Sequence, residues 1–159
     1  MTMIIIGVDP GLIKTGWGII EKNFNEIKYI ASGVIKTPTT IEMGERLKNI
    51  YEKLDTIIKT YSPDEFAIEE TFVNKNPISS LKLGQARGVA MLTASLNNIS
   101  ISEYSPNLIK KSVTGAGKAE KQQMVAMVHY IFPKVEIKLE DEADSLCVAI
   151  CHCNHCNNY

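Results

Sequence analysis

Apolar residues recur along this chain first with the period of strands and later with the period of helices. Residues 3–9 are rich in isoleucine and valine and end at Pro10-Gly11, which is typical of a strand buried on both faces. Residues 15–21 and 26–36 are two further β-rich runs joined by a short polar connection, so they predict an antiparallel meander. Two later runs, at residues 65–69 and 99–104, predict a fourth and a fifth strand.

Helical spacing dominates the segments between and after these strands. Residues 40–61 carry apolar side chains three and four positions apart, which predicts an amphipathic helix ending before Ser62-Pro63. Asn76 followed by Pro77 is a typical helix start, and this helix is expected to reach about residue 97. Further helices are predicted at residues 106–113, 119–131 and 141–152. The order of elements predicts an α/β fold with a mixed sheet whose first strands are antiparallel.

Length and composition restrict the class of protein. The chain has 159 residues, of which 45% are hydrophobic and 22% charged. Since domains usually hold about 100 to 200 residues, we expect a single domain over residues 1–159 that is stable without disulfides or a structural metal. No apolar run reaches the roughly 18 residues that a membrane span needs, and the start lacks the basic residues of a signal peptide. We therefore expect a cytoplasmic protein with no membrane contact.

The charged residues are balanced in number but unevenly placed. There are 17 basic and 18 acidic side chains, which argues against a protein that coats nucleic acid through its overall charge. Residues 105–125 nevertheless hold four lysines and one acid, whereas residues 136–144 hold five acids and one lysine. The sequence therefore allows a local basic face for a polyanion.

Carboxylates mark three predicted element ends. Asp9 closes the first strand, and Glu69, with Glu70 beside it, closes the fourth. Asp141 and Asp144 lie in the first turn of the last helix, where residues three apart can point the same way. If the first and fourth strands are neighbours, these acids converge, and a divalent cation would remove their mutual repulsion. Oxygen-only ligands favour Mg²⁺ or Mn²⁺ over zinc, and two such ions about 4 Å apart are usual for phosphodiester hydrolysis.

The basic stretch has the complementary chemistry. Gly115 and Gly117 precede the helix predicted from residue 119, and their backbone N–H groups could bind an anion there. Lys118 and Lys121 lie at the start of that helix, and Lys110 lies on the helix before it. These residues predict a phosphate-binding surface, for which the alternative is a flexible loop with solvated lysines.

Several of these features also have purely structural explanations. Any one of the acids could be a solvated helix start or strand end, although Asp9 needs a partner because it closes an apolar strand. Phe72 is either a core residue or an exposed aromatic that stacks on bases. Gly84 and Gly88 leave a shallow helix face for either an intramolecular contact or a dimer seam. The cysteines and histidines of residues 147–156 favour a buried helix face with reduced thiols over a zinc site.

A set of motifs in a fixed order covers almost the whole chain. The first are GVDPG at residues 7–11 with TGWG at 15–18, followed by FAIE at 66–69 with Phe72. The most specific is LKLGQARGVA at residues 81–90. GAG at 115–117, AEK at 119–121 and DEADSL at 141–146 complete the set. Together they resemble the RuvC-type Holliday junction resolvases.

The resemblance implies an RNase H-like fold, in which a five-stranded mixed sheet is flanked by helices, and a homodimer. It implies an endonuclease that resolves four-way DNA junctions in recombination and repair by paired, symmetric, Mg²⁺-dependent nicking, leaving 5'-phosphate ends. Lys110 and Lys121 resemble the family's DNA-backbone lysines and Phe72 its junction-contacting aromatic; Lys118 is a further candidate DNA contact. The RuvA–RuvB branch-migration complex is the implied partner. The residues that resemble the family's catalytic, metal-binding carboxylates are Asp9, Glu69, Asp141 and Asp144.

Two departures and two alternatives accompany this resemblance. Glu70 doubles the acid after the fourth strand, although strand alternation predicts that it faces away from Glu69. The chain also ends at Tyr159 without the polar or basic extension of some relatives. The DxG of residues 9–11 with Gly16 is similar to a phosphate loop of actin-like ATPases and sugar kinases, but those proteins need two lobes. A non-catalytic junction-binding module is the other alternative.

Overall fold

The computed structural model describes residues 1–73 and 75–156. Its strands are Met3–Asp9 (β1), Lys14–Asn23 (β2), Glu26–Lys36 (β3), Glu65–Glu69 (β4) and Ser100–Tyr104 (β5). Its helices are Met43–Tyr61 (α1), Pro77–Leu96 (α2), Pro106–Thr114 (α3), Lys121–Ile131 (α4) and Glu140–His155 (α5).

The strands form one sheet in the order β3-β2-β1-β4-β5. β2 pairs antiparallel with both β1 and β3, whereas β4 pairs parallel with both β1 and β5. Parallel neighbours need a crossover, which α1 and α2 provide, while short connections suffice for the antiparallel strands. The predicted mixed sheet with antiparallel strands at one side is confirmed.

Each face of the sheet is covered by its own hydrophobic core. Alternate residues of β1 point to opposite faces, so Ile6 and Val8 pack with α1 and α2 while Ile5 packs with α5. α1 contributes Ile50 and Leu54 to the first core, and α3 and α4 cover the outer side of α5 in the second. The central strand β1 is therefore buried on both faces, as its apolar run predicts.

Three glycines allow α5 to lie directly on β1 and β2. A Cβ atom on Gly7 would lie 2.5 Å from the backbone nitrogen of Ala149, and one on Gly18 would lie 2.7 Å from Cδ2 of Leu146. Gly16 lies in the same way under the first turn of α5. Since these strand positions carry no side chain of their own, the start of the helix lies close to the end of β1.

The ends of three helices differ from the sequence prediction. α1 begins at residue 43, three residues later than predicted, and Glu42 occupies its N-cap position. α4 begins at residue 121 rather than 119, because Ala119 is buried ahead of the first turn. α5 continues to His155 because its inner face stays buried as far as residue 153. Across the described ranges, no helix is long and apolar enough to cross a membrane.

Candidate active site

Asp9 and Glu69 lie side by side at the carboxyl ends of adjacent parallel strands. β1 and β4 are in register through Val8 and Ile68, so the next residue of each strand reaches the same edge of the sheet. The two carboxyl groups are hydrogen-bonded to each other. The sequence predicts that the acids converge if the first and fourth strands are neighbours, and β1 and β4 are neighbours.

The start of α5 brings two further acids to this edge. Asp9 pairs across β1 and β2 with Gly16, and a Cβ atom on Gly16 would lie 2.8 Å from the carbonyl carbon of Asp141. Asp141 and Asp144 both lie close enough for their charges to raise the pKa of Asp9. The structure therefore brings all four predicted carboxylates together, from two strands and one helix.

A side-chain contact that the sequence does not predict anchors the first turn of α5. The Ser32 hydroxyl of β3 donates to Oε2 of Glu142 at 2.9 Å and lies 3.0 Å from the hydroxyl of Tyr29. The Ser145 hydroxyl donates to the Glu142 carbonyl at 2.8 Å. Glu142 therefore holds α5 to β3, while its two neighbouring aspartates are left for the site. No local pattern marks this contact, because Ser32 and Glu142 are 110 positions apart.

Burial and the crowding of negative charge raise the pKa values of these acids. Burial is the largest cause of the rise in the pKa of Asp9 to about 8, and the charges of the other three acids add to it. Burial and Asp144 raise the pKa of Glu69, while Lys110 and Lys121 oppose the rise. Burial likewise raises the pKa of Asp144, against the attraction of Lys121. In the absence of a cation, the cluster therefore retains protons.

The chemistry of the cluster fits a hard divalent cation. Its four carboxyl groups supply oxygen ligands, and the neighbouring Cys147 stays a neutral thiol because burial and the nearby acids raise its pKa. As the side chains stand, no three Asp, Glu, His or Cys residues among the described ones surround a common metal position. Asp9 and Glu69 are hydrogen-bonded to each other, and a cation would replace the proton in that bond. The repulsion that raises the pKa of Asp9 would favour this exchange.

This cluster predicts an unusual pH dependence of stability in EDTA. Folding raises the pKa of Asp9 from its ordinary value of 3.8 to about 8. Between these two pH values, the folded chain keeps a proton on Asp9 that the unfolded chain has released. Stability should therefore fall as pH rises through this interval. We expect the melting temperature in EDTA to decrease from about pH 5 to about pH 8, and saturating Mg²⁺ to flatten this slope. A melting temperature in EDTA that rises over the same range would contradict the prediction.

Lys110 and Lys121 face the acids across a cavity of about 260 Å³. Lys121 forms ion pairs with Asp144 at 3.3 Å and with Glu140 at 3.0 Å. Lys110 lines the same cavity together with Glu69 and Asp144. Two of the three predicted lysines therefore lie beside the carboxylates, where a phosphate group would meet both charges.

The third predicted lysine, Lys118, is exposed in the loop between α3 and α4 and does not line this cavity. The Gly115 N–H donates to the carbonyl of Lys111 at 2.8 Å, which closes α3. The Glu120 N–H donates to Oε1 of Gln123 at 2.8 Å, which caps α4. The Gly115 N–H is therefore used within the chain, and the anion site at this helix start stays a prediction.

The sequence leaves open whether Phe72 is a core residue or an exposed aromatic. Its side chain is 63% exposed, so it is not a core residue. It lines a second cavity, of about 200 Å³, together with Asp9, Glu69 and Glu70. Glu70 lines this cavity as well, but its N–H continues the β4–β5 ladder by donating to the Tyr104 carbonyl at 2.9 Å, so the direction of its side chain stays a prediction. The aromatic ring and the acids therefore share one surface.

The cysteine-rich end of α5 is a buried helix face. Cys147, Cys151 and Cys153 are buried, and burial raises the pKa of Cys151 to about 11. Nδ1 of His152 is hydrogen-bonded to the Tyr104 hydroxyl at 2.8 Å. These contacts agree with the preferred interpretation of reduced thiols on a packed helix.

The order of the strands and the position of the acids define the class of protein. Carboxylates from two adjacent parallel strands and from a helix lying across the sheet converge beside two lysines. The fold is RNase H-like, as the RuvC structure from Thermus thermophilus shows: its complex with a Holliday junction substrate matches with a TM-score of 0.88 and 26% identity. That match covers 94% of this chain and 92% of the other.

Sequence comparison identifies the family within this class. The family described as crossover junction endodeoxyribonuclease RuvC matches residues 5–152. The chain is 47% identical to a protein of that description from Rhizobium johnstonii, over 97% of this chain and 91% of the relative. It is 49% identical to another from Azorhizobium caulinodans, over 95% and 89% of the two chains. The chain belongs to the RuvC family of crossover junction endodeoxyribonucleases, so the predicted DNA endonuclease is confirmed, and the family implies dependence on a divalent metal.

Proposed function

We propose that this protein resolves four-way DNA junctions by paired, Mg²⁺-dependent cleavage of two like strands. The observation that carries the proposal is the convergence of Asp9, Glu69, Asp141 and Asp144 at one sheet edge. These acids come from distant parts of the chain, and their proximity raises the pKa of Asp9. Repulsion among these acids does not stabilise the fold, but it favours the binding of a divalent cation, which a metal-dependent nuclease requires. The relative from Thermus thermophilus, which forms a complex with a Holliday junction substrate, supports the choice of substrate.

The four carboxylates are the residues that would hold Mg²⁺, with two ions per subunit, or Mn²⁺ in its place. Two bound ions would supply charge stabilisation for the attacking and leaving oxygens of the phosphodiester. Asp9 lies near each of the other three acids, since the charges of all three raise its pKa. The protein's contribution is to hold these oxygens on rigid elements, two strand ends and one helix start.

Lys110 and Lys121 would bind the DNA backbone beside the carboxylates. Both line the cavity that contains Glu69 and Asp144, so a phosphate there would be attracted by the lysines. Lys121 is held in place by its ion pairs with Asp144 and Glu140. Lys118 is exposed on the adjoining loop, where it would contribute to long-range attraction of DNA.

Phe72 would stack on a base at the junction. Its ring is largely exposed and lies on the same cavity as Asp9 and Glu69. An aromatic ring beside the cleavage site can hold an unpaired base, and such stacking contributes about 1–3 kcal/mol. This arrangement favours DNA whose bases are unpaired near the crossover.

A homodimer would place two such sites on one junction. α2 presents an exposed apolar stripe, and a Cβ atom added to its Gly84 or Gly88 would have no described residue within 4 Å, so this face is open for close helix contact. The stripe, called the seam, consists of Ile78, Leu81, Leu92 and Leu96.

Sedimentation tests this seam. We expect the wild-type protein to sediment as a dimer and Leu92→Asp to sediment as a monomer, because a buried carboxylate would lose its hydration in the dimer. Phe24→Asp, which changes an exposed residue of the β2–β3 turn, should remain dimeric. An unchanged mass for Leu92→Asp would exclude the seam.

The RuvA–RuvB branch-migration complex is the proposed partner and the cytoplasm the proposed location. The partner is the one that the family resemblance implies, and the location is the one expected from the sequence. Residues 1–159 are proposed to act as one nuclease domain.

Nicking of a synthetic junction tests the proposed function. We expect Mg²⁺-dependent cleavage of a labelled four-way junction, with paired nicks that a DNA ligase can seal, and little cleavage of a linear duplex of equal sequence. Ligation tests for 5'-phosphate and 3'-hydroxyl ends. Binding to the junction without cleavage in Mg²⁺ or Mn²⁺ would support a non-catalytic binding module instead.

A further inference from the structure

Arg87 of α2 reaches across the carboxyl ends of β4 and β5. Its side chain is only 19% exposed, although the next residue, Gly88, lies on a helix face that is open. Its Nε–H donates to the backbone carbonyl of Glu69 at 3.4 Å, and its Nη2 forms an ion pair with Glu103 of β5. One guanidinium therefore contacts both strands at the edge where the carboxylates converge.

The contact with Glu69 is made to its backbone, and this determines what Arg87 can do. Glu69 is the last residue of β4, beyond which the chain leaves the strand towards Phe72. The Glu70 N–H belongs to the same planar peptide group as the Glu69 carbonyl, and it donates to the Tyr104 carbonyl of β5 at 2.9 Å. The hydrogen bond from Arg87 binds the carbonyl side of this peptide group, so the two bonds together orient the backbone from which the Glu69 side chain extends.

Glu103 keeps the guanidinium in the orientation that this bond requires. Ile68 pairs with Glu103 across β4 and β5, so Glu103 lies one position from Glu69 on the neighbouring strand. A guanidinium can present separate N–H groups to two acceptors in a fixed plane, whereas a lysine ammonium is a single flexible point charge. An arginine is therefore suited to joining these two strand ends.

We propose that Arg87 is a positioning residue that holds Glu69 in the orientation required for metal binding, through the carbonyl of Glu69 and with Glu103 as its anchor. This inference rests on the proposed function, because it requires that Glu69 is a metal ligand. Arg87 itself touches neither the metal nor the DNA in this proposal. Mutation of a residue that hydrogen-bonds to a metal ligand and orients it commonly lowers metal affinity or activity by about 10- to 100-fold.

Direct metal binding tests the proposal without the nuclease reaction. Mn²⁺ binding to the DNA-free protein is measured by electron paramagnetic resonance for the wild type, Arg87→Ala and Arg87→Lys. We expect both variants to bind Mn²⁺ about 10- to 100-fold more weakly than the wild type. Lys59→Ala serves as the matched control, because it removes an exposed cation and its ion pair with Asp55 on α1. Its Mn²⁺ affinity should equal that of the wild type.

Arg87→Lys separates positioning from a general effect of charge or stability. A lysine keeps the positive charge for Glu103 but cannot reproduce the planar donors of arginine. We expect Arg87→Lys to melt near the wild-type temperature while its Mn²⁺ affinity and kcat for junction nicking stay low, with unchanged junction binding in EDTA. Full recovery of Mn²⁺ affinity in Arg87→Lys, or wild-type affinity in Arg87→Ala, would overturn the proposal.

Asp9→Asn distinguishes this failure from a failure of the proposed function. If the carboxylates bind metal, Asp9→Asn loses Mn²⁺ affinity whatever Arg87 does. Equal Mn²⁺ binding by the wild type and Asp9→Asn would reject the metal site itself. A loss in Asp9→Asn with no loss in Arg87→Ala would reject only the role of Arg87.

Discussion

Asp9→Asn is expected to reduce junction nicking by about a thousandfold or more while junction binding is retained. Asparagine has nearly the same shape as aspartate but carries no charge, so the central ligand of the cluster loses its attraction for a cation. A metal supplies several kcal/mol of transition-state stabilisation, and each 1.4 kcal/mol or so is a factor of ten in rate. Lys110 and Lys121 keep their places beside the cavity, so the DNA should still bind. Single-turnover nicking and a gel shift in EDTA measure the two effects.

The same variant should be more stable than the wild type in EDTA at about pH 8. The wild type must keep Asp9 protonated or accept repulsion from its neighbours, since burial and three other acids raise its pKa to about 8. Asparagine removes that cost and can still donate a hydrogen bond to Glu69. Asp64→Asn is the control, because Asp64 lies at an exposed position where its side chain accepts a hydrogen bond from the Ile4 N–H. Nicking by Asp9→Asn at the wild-type rate would exclude Asp9 as a metal ligand.

Gly7→Ala is expected to destabilise the fold by about 3 kcal/mol and to abolish the site. Its Cβ would lie 2.5 Å from the backbone nitrogen of Ala149 and 2.9 Å from the Cβ of that residue, and it would also meet the Ser145 carbonyl. Backbone atoms of α5 cannot rotate away, so the helix must move off the sheet, and overpacking of this kind costs about 1–3 kcal/mol or more. For a chain of this size, the melting temperature should fall by about 6–12 °C.

Gly44→Ala is the matched control for this substitution. Gly44 lies in the first turn of α1, and a Cβ atom there would meet no described residue within 4 Å. Alanine has the higher helix propensity, so Gly44→Ala should be neutral or slightly stabilising. Thermal unfolding followed by circular dichroism compares the two variants. A Gly7→Ala protein that melts with the wild type and nicks junctions normally would show that α5 does not need its close approach to β1.

The candidate site could be predicted from the sequence to the extent that it depends on the ends of local elements. Asp9 and Glu69 follow short apolar runs, and Asp141 and Asp144 begin a helix, so local periodicity places each acid at an element end. Such periodicity says nothing about the partners of Lys121, which pairs with Asp144 across α4 and α5. The family resemblance, and not local periodicity, predicted that the four carboxylates at these element ends lie together.

Errors in the sequence predictions occurred where tertiary contacts override local rules. α4 begins at residue 121 rather than at the predicted residue 119, because Ala119 is buried ahead of the first turn. α5 continues to His155 rather than ending near residue 152, because its inner face stays buried as far as residue 153. In both cases the local pattern is compatible with two structures, and packing against a distant segment selects one.

The sequence by itself determined the five strands, the principal helices and the chemistry of the residues at their ends, because these depend on near neighbours along the chain. Only the tertiary structure decided that β1 lies beside β4, that Gly7, Gly16 and Gly18 admit α5 to the sheet, and that Arg87 contacts Glu69. These are contacts between segments far apart in the sequence, and their free energy comes from burial and shape complementarity in the folded chain. The acidic cluster is the joint result: local sequence supplies its carboxylates, and long-range packing brings them together against their repulsion.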